Sequence, residues 1–214
     1  MSKLPVIAID GPAASGKGSI ARRVAAALGF AHLDTGTLYR VVGLAVLRKG
    51  GDPADPAHAI AAVQSLDLSL LEDHGLRSHA TSIAASKVAV IVPVREALLS
   101  FQRDFAAHPP GKGAVLDGRD IGTVICPDAD VKLFVTATPE VRAKRRFLEL
   151  TANGTLITEV EVLADIRSRD ARDSGRAVAP LKQAADAHLL DTTHLDIEAA
   201  TERALSIVRA ALRT

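Results

Sequence analysis

A single cysteine, Cys126, occurs in 214 residues, so no disulfide can close within the chain. That excludes a disulfide-stapled secreted scaffold and fits a reducing cytoplasm, the compartment expected here. The seven histidines include no H-x-x-x-H pair, and Cys126 has no cysteine partner, so the sequence shows no structural zinc site. No apolar run approaches the roughly 20 residues that cross a bilayer. The first residues enter a strand pattern directly, without the basic and apolar regions of a signal peptide. No membrane partner is expected. An excess of one charge is missing too: 26 Lys and Arg face 25 Asp and Glu, a net charge of +1. With no basic tail or stripe, no nucleic-acid partner is expected either. There is no internal repeat or low-complexity tract, and the length suits one core in one domain, residues 1–214. A monomer is the expectation.

What is present is an alternation of strand and helix patterns. Strands are predicted at Leu4–Asp10, Phe30–Asp34, Ala114–Asp117, Val131–Ala137 and His188–Asp191. Helices are predicted at Ser19–Leu28, Thr37–Arg48, Pro93–Ala107, Pro139–Leu150, Glu159–Asp173 and Ile197–Leu212. This rhythm predicts an α/β fold, a five-stranded parallel sheet with helices on both faces. Ligands of such sheets sit beyond the carboxyl ends of the strands, where Asp34 and Asp117 would lie. Two stretches interrupt the pattern. Residues 57–92 read as a reduced insert whose one strand-like run is Leu66–Leu71, and Thr151–Thr158 reads as a mobile loop opening a lid over about 151–180.

Between the first strand and first helix run Gly11, Pro12, Ala13, Ala14, Ser15, Gly16, Lys17, Gly18 and Ser19. A glycine-spaced loop there wraps a polyphosphate: backbone N–H groups and the helix N-terminus face the anion, and Lys17 reaches the outer phosphates. Ile20, Ala21, Val24, Ala25 and Leu28 give the following helix one apolar face. Gly18 stands where such loops often carry a hydroxyl, which comes one residue later at Ser19. Magnesium would then be held largely by ATP oxygens and water. The same stretch also fits G-x-G-x-x-A from Gly16 to Ala21, with Asp34 at a ribose-binding distance, so a dinucleotide-binding oxidoreductase is a formal rival. Against it, extra residues separate the strand from Gly16, and a lysine would stand beside the pyrophosphate.

Further clusters accompany the loop. Asp34-Thr35-Gly36-Thr37-Leu38-Tyr39-Arg40 is either a second anion site at a helix N-terminus or ordinary capping by Thr37 beside a solvated Arg40. Ser86 precedes Arg95, which lies on a helix whose buried face is expected to be Val94, Ala97, Leu98, Phe101 and Phe105, leaving Arg95 to point elsewhere. Asp117-Gly118-Arg119-Asp120 ends an apolar strand. Its Asp117 suits a metal reached through water, and the alternative is a polar turn. In Arg167–Arg176, Arg169, Asp173 and Arg176 share a helical face, either a solvated ion-pair ladder or a lid carrying arginines over phosphates.

In this order the segments I-D-G-P-A-A-S-G-K-G-S, D-T-G-T-L-Y-R, A-A-S-K-V-A, V-R-E-A-L, D-G-R-D-I-G-T-V-I-C-P-D-A and R-D-A-R-D-S-G-R-A-V-A-P-L resemble the bacterial cytidylate kinase family of P-loop nucleoside monophosphate kinases. The resemblance runs end to end apart from the insert. It implies transfer of the ATP γ-phosphoryl group to CMP or dCMP with magnesium. It implies catalytic roles for Lys17, Arg119 and Arg169, and the loop Gly11–Ser19 as the ATP site. Ser19 and Asp117 would serve the metal. Ser86, Arg95 and Asp120 resemble the cytosine readers, and Thr35, Arg40, Arg119 and Arg169 the monophosphate grip. Tyr39 is also placed among substrate-binding residues, and Asp173 and Arg176 resemble ribose or base contacts. Side chains near Arg142–Arg146 are candidates for adenine. Thr35 replaces the family's frequent serine, and the short insert lacks the small antiparallel sheet usual there. The rivals are another P-loop kinase (UMP/CMP, adenylate or small-metabolite) and a nucleotide-switch protein, which would want an N-K-x-D guanine reader that is missing.

Overall fold

The strands that the alternation predicts are β1 (Val6–Asp10), β2 (Ala31–Asp34), β3 (Ala114–Gly118), β4 (Val131–Thr136) and β5 (His188–Asp191), of which β1, β3 and β4 are short runs rich in Val, Ile and Leu. The helices are α1 (Lys17–Leu28), α2 (Thr35–Arg48), α3 (Pro56–Gln64), α4 (His79–Val88), α5 (Val92–Ala107), α6 (Pro139–Ala152), α7 (Glu159–Ser174) and α8 (Ile197–Ala211). These come from a computed structural model that describes residues 3–213.

The strands form one sheet in the order β2-β3-β1-β4-β5, with β1 pairing in parallel to β3 and β4, and β4 to β5. The step from β1 to β2 runs one way across the sheet and that from β4 to β5 the other. Right-handed crossovers then put their helices on opposite faces, and the reversal opens a crevice at the carboxyl end of β1. On one face Ile7, Ile9, Val115, Leu133, Val135 and Leu190 pack with Ile20, Val24, Ala204 and Val208 of α1 and α8. Each such buried aliphatic side chain contributes roughly 1.5–3 kcal/mol. The expected face of α1 is the buried one.

The chain divides into two compact units, Met1–Leu33 with Asp104–Thr214, and Asp34–Arg103. The sheet belongs essentially to the first. The second holds α2, α3, α4 and most of α5 around Leu38, Val42, Val46, Ala85, Val88, Val94 and Leu98, and the expected insert falls inside it.

Here three expectations are corrected. Leu66–Leu71 is not a strand. Leu68–Glu72 and His74–Arg77 are 3₁₀ turns, because Asp67 and Asp73 accept the backbone N–H of Ser69 and Gly75 and start a tight turn each time. Helices α3 and α4, unexpected from periodicity, flank them. Asp55 and Pro56 start α3, and the Ser78 hydroxyl caps α4 at Thr81. The buried face of α4 is Thr81, Ser82, Ala84, Ala85, Ser86 and Val88, too small and polar to read as an apolar stripe. Small residues are needed because α2 comes close: a Cβ on Gly43 would lie 2.9 Å from the Ala85 backbone nitrogen.

Second, α2 begins at Thr35 with Asp34 at its N-cap and no side-chain capping bond, so Thr37 is not the cap. Third, the buried face of α5 is rotated from the expected one. Val94, Arg95, Leu98 and Gln102 lie inside while Phe101 is 48% exposed. Gln102 fits because its amide donates to the Leu98 carbonyl one turn back.

Candidate functional site

The loop after β1 is shaped by backbone conformations that few side chains tolerate. A Cβ on Gly11 would come within 2.0 Å of the Val135 carbonyl oxygen, so only glycine fits against β4. Gly16 (φ 88°) caps α1 in the left-handed region, and Ala14 is held at φ 58°, a conformation costly for a residue with a Cβ. The loop is braced from outside. The Thr192 hydroxyl reaches the carbonyls of Ser15 (3.1 Å) and Thr136 (3.0 Å), and Arg145 donates to the Thr192 hydroxyl and carbonyl. Arg142 donates to the carbonyls of Ala13 (3.2 Å) and Ala137 (2.9 Å) and pairs two-pronged with Asp170 of α7 at 3.0 and 2.6 Å. Of the adenine candidates, Arg142 and Arg145 are thus engaged in holding the loop. Arg146 pairs with Glu149 and keeps one buried Nη without a hydrogen bond among the described residues.

Inside the loop, Ser15 is fully buried and its Oγ has no hydrogen-bond partner among the described residues. An orphan hydroxyl in a strained, glycine-lined loop at a helix N-terminus suits a ligand rich in oxygen acceptors. Asp117, buried at the end of β3, has Oδ2 3.5 Å from where a Cβ on Gly18 would stand. Its Oδ1 receives His32 Nε2 at 2.8 Å. Among the described residues no group of three or more His, Cys, Asp and Glu is arranged to hold a metal. A divalent ion beside this loop would therefore take most of its ligands from phosphate oxygens and water, which is magnesium's habit.

Asp10, at the end of β1, accepts the backbone N–H groups of Ile121 (2.8 Å) and Gly122 (2.7 Å). Burial pushes its carboxyl up to about 6 despite those two bonds, with nearby Asp120 adding to the rise and Lys17 opposing it. The bonds anchor a π-helical turn, Ile121–Ile125, that opens on Asp120. Asp120 itself is buried, and its carbonyl accepts Val124 and Ile125 N–H.

Three arginines converge on Asp173, which is 1% exposed. Arg119 Nε donates at 3.0 Å, Arg176 Nη2 donates to the other oxygen, and Arg169 Nε stands at 3.9 Å. Burial alone would raise this carboxyl, but the three guanidinium groups hold it below the ordinary value. The cluster is buried, which rules out the solvated ladder. Helix α7 ends at Ser174, so Arg176 lies past the helix rather than on its face, yet still pairs with Asp173. One carboxylate fixing three cations leaves net positive charge for an anion.

In the second unit, the Arg95 guanidinium lies 5.7 Å from the Tyr39 ring centroid and donates to the Ala89 carbonyl. Arg95 is 7% exposed and Ser86 1%. Arg40 reaches the Leu76 carbonyl at 3.4 Å, so it is not a solvated cation, and Thr35 is buried at the start of α2.

Sequence reasoning passed over Asp10, His32, Asp170 and Thr192, and gave Arg142 an adenine role rather than that of a loop brace. Asp10 could have been found as a carboxylate closing an apolar strand beside the loop. The other three carry no local signal, since their roles depend on partners distant in sequence.

A family model described as cytidylate kinase matches residues 7–210. A cytidylate kinase of Nitrobacter winogradskyi is 60% identical over 95% of this chain and 95% of its own. That of Rhodopseudomonas palustris strain HaA2 is 58% identical over 96% of each. Among solved structures, an uncharacterized protein from Eubacterium ventriosum superposes with a TM-score of 0.55 at 14% identity, covering 96% of this chain and 99% of that one. A gluconokinase from Sinorhizobium meliloti gives 0.51 at 12%, covering 100% and 97%. At those identities the likeness is one of fold.

Proposed function

The chain belongs to the cytidylate kinase family, and on that premise we propose that it transfers the γ-phosphoryl group of ATP to CMP and dCMP, giving CDP and dCDP. The observation that carries this reading is that one compact unit combines a phosphate-type loop with three guanidinium groups gathered on a buried carboxylate. An acceptor that is already an anionic phosphate oxygen needs no general base. It needs its charge compensated and its oxygen aligned.

Lys17 and the loop Gly11–Ser19 hold the donor phosphates. Arg119 and Arg169 compensate charge on the transferring group and, with Thr35 and Arg40, grip the monophosphate. Tyr39 supports Arg95. Asp173 and Arg176 contact ribose or base. Magnesium, when bound with ATP, neutralises charge on the donor oxygens, and Asp117 and Ser19 are assigned to it through water. Ser86, Arg95 and Asp120 read cytosine: a carboxylate accepts from the exocyclic amine, while the hydroxyl and guanidinium donate to O2 and N3. Uracil reverses one donor and one acceptor on that edge, leaving a buried carboxylate against a carbonyl. We assign the chain the same single-domain plan, with the insert at 57–92 and the lid at 151–180. It works as a monomer in the cytoplasm without nucleic acid or membrane. Among the described residues Cys126 is buried and in no disulfide, and no helix is long and apolar enough to cross a membrane.

The test is a panel of phosphate acceptors with ATP and magnesium: CMP, dCMP, UMP, AMP, GMP, gluconate and shikimate. CMP and dCMP should give the highest kcat/KM. Preference for any other acceptor would replace this reading with that of another P-loop kinase.

A further inference from the structure

We infer that His32 is a positioning residue for Asp117, fixing the carboxylate plane so that its other oxygen serves the magnesium that accompanies ATP. The inference rests on the assignment of Asp117 made above. Rotation about the terminal bond of an aspartate is broad and roughly twofold, so a carboxylate at a strand end does not set its own plane. A donor on one oxygen sets it.

His32 stands on the edge strand β2, and its Nε2 lies 2.8 Å from Asp117 Oδ1. An ionised carboxylate only accepts, so Nε2 carries the hydrogen. With Oδ1 so engaged, Oδ2 is the oxygen 3.5 Å from the Cβ position of Gly18, facing the loop where it turns into α1. The pair is sheltered, the side chains being 17% and 3% exposed, so water competes weakly for the bond. With glycine at position 18 the loop sets no side chain against that oxygen, whereas a Cβ there would be in contact with it. Hydrogen bonds that orient a metal-holding carboxylate typically matter by 10–100-fold in metal affinity.

The experiment measures calorimetric binding of a non-hydrolysable ATP analogue to the whole protein, once with magnesium and once with EDTA. The ratio of the two affinities is the readout. His32→Asn shortens the side chain so that its amide cannot reach Asp117, whereas His32→Gln keeps an N–H near the Nε2 position. The expected result is a ratio about tenfold lower in His32→Asn, nearly wild-type in His32→Gln, and lost in Asp117→Asn, with metal-free affinity unchanged in the two His32 variants. A wild-type ratio in His32→Asn beside a lost ratio in Asp117→Asn would overturn the role of His32 alone. Equal loss in His32→Asn and His32→Gln would overturn the donor argument. A wild-type ratio in Asp117→Asn would remove the assignment of Asp117 and this inference with it.

Discussion

Lys17 lies at the first position of α1, where the helix N-terminus and the glycine-capped loop already favour an anion. What the lysine adds is a mobile full charge that can follow the γ-phosphoryl as negative charge shifts during transfer. Losing one preorganised charge of this kind costs about 3–4 kcal/mol, or 10²–10³-fold in kcat. Lys17→Ala should show that loss with CMP affinity within a few-fold of wild type, measured by steady-state kinetics and by calorimetry. Unchanged kcat would remove the lysine from the chemistry. At this scale the sequence was legible where chemistry and spacing coincide, as in Gly11–Ser19 and Asp117–Asp120. It misled at Arg95. Counting large apolar residues on α5 selected Phe101 for the interior, whereas the buried row takes in Arg95 and Gln102, which each donate one hydrogen bond, to the Ala89 and Leu98 carbonyls. A buried arginine with a carbonyl and an aromatic ring to meet cannot be told from a surface one by periodicity.

Between elements, the tie from β1 to the turn after β3 is the most revealing. Asp10 titrates near 6 in the fold against an ordinary value of 3.8. Its folded pKa is raised, so its contribution to stability is full below about pH 4 and is lost as pH rises through 6, amounting to about 3 kcal/mol. In Asp10→Asn this titration disappears, while one of the two N–H groups loses its acceptor at every pH. Denaturant unfolding from pH 3.5 to 7 should therefore show wild-type stability falling relative to Asp10→Asn by about 3 kcal/mol as pH rises. A pH-independent difference, or one growing in favour of wild type, would contradict the burial argument. The three inner strands β3, β1 and β4 were readable because buried parallel strands are short continuous runs of Val, Ile and Leu. Helices α3 and α4 were not, because apart from one valine each, Val63 and Val88, their buried faces are alanine in α3 and alanine, serine and threonine in α4. The supposed strand at 66–71 failed because aspartate side chains at 67 and 73 capture the following N–H groups and favour turns.

The molecule as a whole is a parallel sheet unit that carries the phosphate loop and the arginine cluster, and a helical unit that carries Thr35, Tyr39, Arg40, Ser86 and Arg95. That division was legible only in part: the interruption after Gly50 marked the helical unit, but its true start at the end of β2 coincides with an unbroken strand-to-helix junction that gives no compositional sign. The central claim is that this fold selects a cytosine monophosphate by a buried carboxylate. The measurement closest to it is kcat/KM for CMP and UMP, with ATP and magnesium, in wild type and Asp120→Ala. Wild type should favour CMP by at least about 100-fold, and the substitution should reduce that ratio at least tenfold, mainly by weakening use of CMP. A CMP:UMP ratio unchanged by the substitution would contradict the account.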